Sequence, residues 1–126
     1  MDSKLLEQLA ARGEQKEKDR LAVKVFSVGG VDMQFHKPKQ DDQLAYVEAL
    51  REIKNVRDSV AVSVSLIYDC CPDLQDPELH KTLGVVDPYD TVRKLMDIGE
   101  IDDLGAELAQ WIGFLPGSQQ EDAAKN

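Results

Sequence analysis

The stretch DSVAVSVSLIYDCCPDLQDPEL, residues 58–79, decides the fold, because its first half reads two ways and its second half only one. Val60, Val62, Val64 and Leu66 alternate with Ala61, Ser63 and Ser65, the period of a half-buried strand rich in β-branched residues. Val60, Ala61, Val64, Ile67, Tyr68 and Cys71 also trace the stripe of a buried helix. Length decides between them, since residues 58–71 run without Gly or Pro and strands are rarely so long. We read a helix here, with a short strand over 60–66 as the alternative.

Pro72 disfavours helical geometry at Cys71, so the helix stops there. Asp76-Pro77 then supplies a helix cap and a proline at the first helical position, with Glu78 where the helix dipole favours a negative charge. Leu79 and Leu83 face inward and Gly84 offers a stop. Asp87-Pro88 repeats the device and opens a helix through Tyr89, Val92, Leu95 and Met96, which Gly99 breaks. Asp102-Asp103 reads as a helix start. Ile101, Leu104, Leu108, Trp111 and Ile112 form the stripe of a last helix that closes at Gly113.

Upstream, Leu44, Val47, Leu50, Ile53 and Val56 recur every three residues, most economically one amphipathic helix to about Arg57, capped by Asp41 or Asp42. Before it, Phe26, Val28, Val31, Met33 and Phe35 alternate with polar residues around Gly29-Gly30, the two-residue loop of a type I′ or II′ hairpin. With Val28 opposite Val31, those five apolar side chains share one face. At the N-terminus Leu5, Leu6 and Leu9 mark a short helix from Ser3, stopped at Gly13, and the charged run from Glu14 to Arg20 reads as a solvated linker.

The pattern is α+β: an N-terminal arm helix and one β-hairpin packed against a bundle of about five short helices. Residues 1–20 form a flexible arm and charged linker, 21–114 a single α+β domain, and 115–126 a disordered polar tail. The chain has 126 residues, enough for one core, and its formal charge of −9 would repel a phosphate backbone or anionic lipid. Neither nucleic acid nor membrane is an expected partner. No stretch is long and apolar enough for a membrane span, and the start lacks the features of a secretory signal, so the chain reads as cytoplasmic.

The cysteines, acids and His80 near Pro72 invite a catalytic or metal-binding reading, which the residues do not support. A nucleophilic thiol needs a base or a positive environment, whereas Cys70 and Cys71 are flanked by Asp69 and Asp73. Adjacent cysteines with no Cys-x-x-Cys and no second pair do not complete a zinc site. Gly29-Gly30 lacks the further Gly and the Lys-Ser/Thr of a phosphate loop. We expect no catalytic, cofactor-binding or metal-binding residue and no enzymatic activity. Leu5, Leu6 and Leu9 are the candidates for partner contact or self-association.

From Ile67-Tyr68-Asp69-Cys70-Cys71-Pro72-Asp73-Leu74 onward, the sequence resembles the XkdN-like tail assembly chaperones of long-tailed phages and defective prophages. Asp76-Pro77-Glu78-Leu79, Tyr89-Asp90-Thr91-Val92, Gly99-Glu100-Ile101 and Gly113-Phe114 follow in the family's order. Tyr68, Cys71, Pro72, Leu74, Leu79, Gly99, Glu100, Gly113 and Phe114 are its structural markers. Gln75 and Ile98 depart from it, where Lys and Pro are more usual. The resemblance implies a non-catalytic factor that binds the tape measure protein and recruits tail tube protein around it in the host cytoplasm, and that is absent from the mature virion. The competing readings are a minor virion structural protein, such as a head–tail connector or tail component, and a small thiol enzyme or redox sensor.

Overall fold

The computed structural model describes residues 1–114; the expected tail, 115–126, lies outside the described residues. In chain order the elements are α1 (Ser3–Arg20), strands β1 (Val23–Val28) and β2 (Val31–His36), α2 (Gln40–Arg51), α3 (Val56–Cys70), a 3-10 turn (Pro72–Gln75), α4 (Pro77–Leu83), α5 (Asp90–Leu95) and α6 (Ile98–Ile112). The architecture is the expected α+β one, a single antiparallel hairpin set against helices.

The decisive stretch is helix, and the strand alternative over 60–66 is wrong. Asn55 caps it, its side-chain oxygen accepting from the Asp58 N–H at 2.9 Å. Val60, Val64, Ile67 and Cys70 fall on one buried stripe joined by Leu66, whereas a strand would have aligned Val62 with them, and Val62 is only half-buried. Cys71 leaves the helix with φ −118° and ψ 100°, the extended geometry that a following proline imposes.

α3 and α6 run side by side in the same direction. Val56 and Ile98, at their starts, line one cleft, and Leu66 and Ala109, further along, line another. Between these points Gly105 meets Ser63 so closely that a Cβ on Gly105 would lie 2.6 Å from the Ser63 Cβ. The pair supplies much of the core, with Ile67, Ile101 and Leu108 fully buried beside Val92 of α5, Leu74 of the 3-10 turn and Phe35 of β2.

The hairpin forms in the expected register, Val28 opposite Val31, and Gly29 and Gly30 take the positive φ values, 57° and 80°, that a type I′ loop requires. Phe26, Met33 and Phe35 face the core, with Phe26 edge-on to both Phe35 and Trp111 at 5.4 and 5.7 Å. Val31 shares that face by register but is exposed at the hairpin's tip.

Several expected boundaries are corrected. Residues 13–20 are not a linker: α1 continues to Arg20, since Glu, Gln, Lys and Arg are good helix formers and Gln15 bonds Asp19 at 3.0 Å one turn on. Asp2, not Ser3, caps it. The single helix expected from Leu44 to Arg57 is interrupted between Arg51 and Val56, where Asn55 starts α3, and Asp41 and Asp42 lie in the first turn of α2 instead of capping it. Asp87-Pro88 forms a turn ahead of α5, the Asp87 carboxylate accepting from the Tyr89 N–H at 3.0 Å. Gly99 lies inside α6, and Asp102-Asp103 fall in its second turn. Asp97 precedes the helix, with its backbone N–H donating to Glu100 Oε1 at 2.9 Å. The terminators Gly84 and Gly113 are left-handed, with φ 71° and 99°.

Candidate functional site

Several side-chain hydrogen bonds and ring contacts meet at the cysteine–proline junction. All three tyrosines of the chain converge there. Tyr46, from α2, donates its hydroxyl to Asp69 Oδ2, and Tyr89, ahead of α5, donates to Asp69 Oδ1 at 2.8 Å. Tyr68 packs against the Tyr89 ring at 4.6 Å between centroids and faces His80 at 6.0 Å. Gln75 closes the end of α3 by donating its amide to the carbonyls of Tyr68 and Asp69 at 2.8 and 3.1 Å. His80 Nε2 lies 2.7 Å from the Leu74 carbonyl, so that nitrogen carries the proton and donates.

The electrostatics hold this junction in its protonated, unreactive form. Burial pushes the Cys70 thiol up to about 12, and Asp69 and Cys71 add to the effect. Burial likewise raises Cys71, opposed by hydrogen bonds from the backbone of Leu74 and Asp73. Both thiols are free and fully buried. Tyr46 is raised first by burial and then by its bond to Asp69, and Tyr89 is pushed up to about 12, chiefly by the same carboxylate. A thiolate is the reactive species of cysteine, and this environment works against it.

An open cleft of about 560 Å³ adjoins the junction, lined by His36, Lys37, Lys39, Asp42, Tyr46 and Asp69. The carboxylate at its back is already engaged by two hydroxyls. Among the described residues, no group of three or more His, Cys, Asp or Glu is placed to hold a metal ion, and no helix is long and apolar enough to cross a membrane.

The markers named from the sequence fall at the junction and at the two ends of α6. Cys71 and Leu74 are buried, Leu79 packs half-buried on the core, and Tyr68 and Pro72 shape the turn between α3 and α4. Phe114 stacks on Tyr46 at 6.1 Å, just past the Gly113 terminator, and Glu100 sits in the first turn of α6 beside Gly99. Sequence reasoning missed the meeting of Tyr46, Asp69 and Tyr89. The local signal was only that each tyrosine needs a partner for its hydroxyl.

The leucines singled out at the N-terminus lie elsewhere. α1 buries none of its residues, and Leu5, Leu6 and Leu9 are 44%, 55% and 50% exposed. The hairpin's outer face also presents Val23 and Val25 to solvent.

The chain belongs to the phage XkdN-like tail assembly chaperone family, whose model matches residues 3–125. No curated protein and no solved structure matches it.

Proposed function

We propose that this member of the family is a non-catalytic chaperone that binds the tape measure protein, keeps it soluble and promotes assembly of the tail tube protein around it. The observation that carries the binding surface is α1: three leucines on a helix in which no residue is buried. At 18 residues of mostly strong helix formers, α1 is longer than the roughly 12–15 residues below which an isolated helix is marginal, so a partner that covers its apolar stripe gains contact area with little reordering. The chain's formal charge of −9 keeps the protein itself soluble while the stripe is bare. We place its action in the host cytoplasm and outside the mature virion.

Co-expression with the tape measure protein tests both layers. The wild-type chain should raise the soluble yield of that protein several-fold, and the triple variant Leu5→Asp, Leu6→Asp, Leu9→Asp should lose that effect while keeping a folded domain. No gain with the wild type would overturn the chaperone reading. An undiminished gain with the triple variant would overturn the role of α1. Mass spectrometry of purified particles separates this reading from a virion structural protein, which would remain in them.

A further inference from the structure

α3, α5 and α6 meet at an open cleft of about 500 Å³, lined by Val56, Arg57 and Val60 of α3, Arg93 of α5 and Ile98 of α6. Val56 and Val60 stand one turn apart on the same face of α3. Val60 is buried, whereas Val56 and Ile98 are 74% and 64% exposed, two aliphatic side chains left bare at the starts of the two helices that supply much of the core. Both arginines are exposed, and among the described residues neither guanidinium has an ion-pair or hydrogen-bond partner. The chain carries 24 acidic residues against 15 basic ones, yet no described carboxylate lines this cleft. Asp58, next to Arg57 in sequence, accepts from the Lys54 N–H at 3.2 Å, and Glu100 accepts from the Asp97 N–H at 2.9 Å. Both acids are taken up by backbone donors at helix starts.

We propose that this cleft holds a segment of a partner protein in which an aliphatic side chain is flanked by carboxylates, the side chain against Val56 and Ile98 and the carboxylates on Arg57 and Arg93. Charge and apolarity together select that chemistry. Arginine presents a planar fork of donors that matches a carboxylate. A small anion would leave the two aliphatic side chains wet, and an uncharged apolar segment would cover the arginines without giving them a partner. A second copy of the chain is disfavoured by the formal charge of −9. At physiological ionic strength exposed charges more than about 8 Å apart are largely screened, so a docked carboxylate feels the two arginines more than the acidic surface beyond them. Residues 115–126 carry one large aliphatic side chain, Leu115, three residues past the end of α6. The 15-residue helix sets Ile98 about 20 Å from that end, which three residues cannot span. The cleft is separate from the leucine arm, and the inference stands whether or not α1 binds the tape measure protein.

The probe is a fluorescein-labelled alanine–glutamine helix that carries two Leu flanked by two Glu along one face, titrated with the full chain to about 1 mM. It should bind with a dissociation constant between about 10 µM and about 1 mM. Control peptides with Lys in place of Glu, or Ser in place of Leu, should bind about tenfold more weakly or worse. Chemical-shift changes should fall on the amides of Val56, Arg57, Arg93 and Ile98. Because these side chains are exposed, they can be substituted with the fold retained, which circular dichroism checks. Arg57→Glu together with Arg93→Glu should reverse the preference in favour of the Lys peptide, and Ile98→Ser should weaken the Glu–Leu probe about tenfold. A chain that binds none of the peptides would overturn the proposal. So would equal binding of the Ser and Leu peptides, an unreversed preference in the folded double variant, or shifts confined to Leu5, Leu6 and Leu9. Glu121→Gln with Asp122→Asn asks whether the chain's own acids hold the arginines. Unchanged binding is expected, and a tightening of about tenfold would give the cleft to residues 115–126 instead.

Discussion

α1 and α3 are regular helices of 18 and 15 residues that are helical for opposite reasons. α1 is built from Leu, Glu, Gln, Lys, Arg and Ala, the strongest helix formers, and buries nothing. α3 is rich in Val and Ser, which favour other conformations, and buries Val60, Val64, Leu66, Ile67 and Cys70. Local propensity therefore writes the arm, while tertiary packing writes the centre of the domain against a sequence that also alternates like a strand. Helix content at one end should respond only to local changes, and at the other only to changes in burial.

The sharpest way to break the α3 side is to charge its interior. In the folded state Cys70 is held protonated, its pKa raised from 9.0 to about 12 by burial and by Asp69. Below pH 9.0 both the folded and unfolded chains keep that proton, and the stability tied to it is fully present. As pH rises from 9.0 through about 12 the unfolded chain releases the proton first and that stability is lost. Tyr89, raised from 10.0 to about 12, acts in the same direction. Denaturant titrations across this window should show a steep fall in unfolding free energy, shallower in a folded Cys70→Ala variant; a flat profile would contradict the buried, protonated junction.

Ile67→Ala comes next, since Ile67 is fully buried at the α3–α6 contact. It should cost about 2–5 kcal/mol of global stability by chemical denaturation. Gly105→Ala should follow at about 1–3 kcal/mol, because the new methyl meets Ser63 at backbone-limited range, 2.6 Å from its Cβ. Ser63→Gly in the same chain should return part of that loss, a coupling that a double-mutant cycle would measure. On the other side of the comparison, Gly13→Ala lies in an open stretch of α1 with nothing near the added carbon. It should stabilise α1 locally by about 1 kcal/mol and leave the domain's midpoint unchanged. A shift of the global midpoint by Gly13→Ala would show that arm and domain fold together and erase the contrast.

The sequence alone determined the features whose causes lie within a few residues. Gly29-Gly30 set the hairpin and its register, because only glycine takes positive φ at both loop positions without strain. Cys71-Pro72, Asp76-Pro77, Gly84 and Gly113 placed helix ends by proline sterics, side-chain capping and left-handed backbone. The resemblance that starts at Ile67 to Leu74 and runs on to Gly113-Phe114 is written in the sequence, and the family model matches residues 3–125. Even at this range, competing local signals misled: Gly13 read as a stop and Gly99 as a break, although a single glycine lowers helix stability by only about 1 kcal/mol.

Only the tertiary structure decided what depends on residues far apart in the chain. Asp69 receives hydroxyls from residues 23 and 20 positions away, and no local pattern joins Tyr46 to Tyr89. The identity of α3 was settled by which side chains α6 could bury, and the need for glycine at 105 by the approach of Ser63. Turn and cap chemistry acts through the nearest backbone, so it is written in short words of sequence; burial is a property of surfaces brought together, and it appears only when the chain has folded.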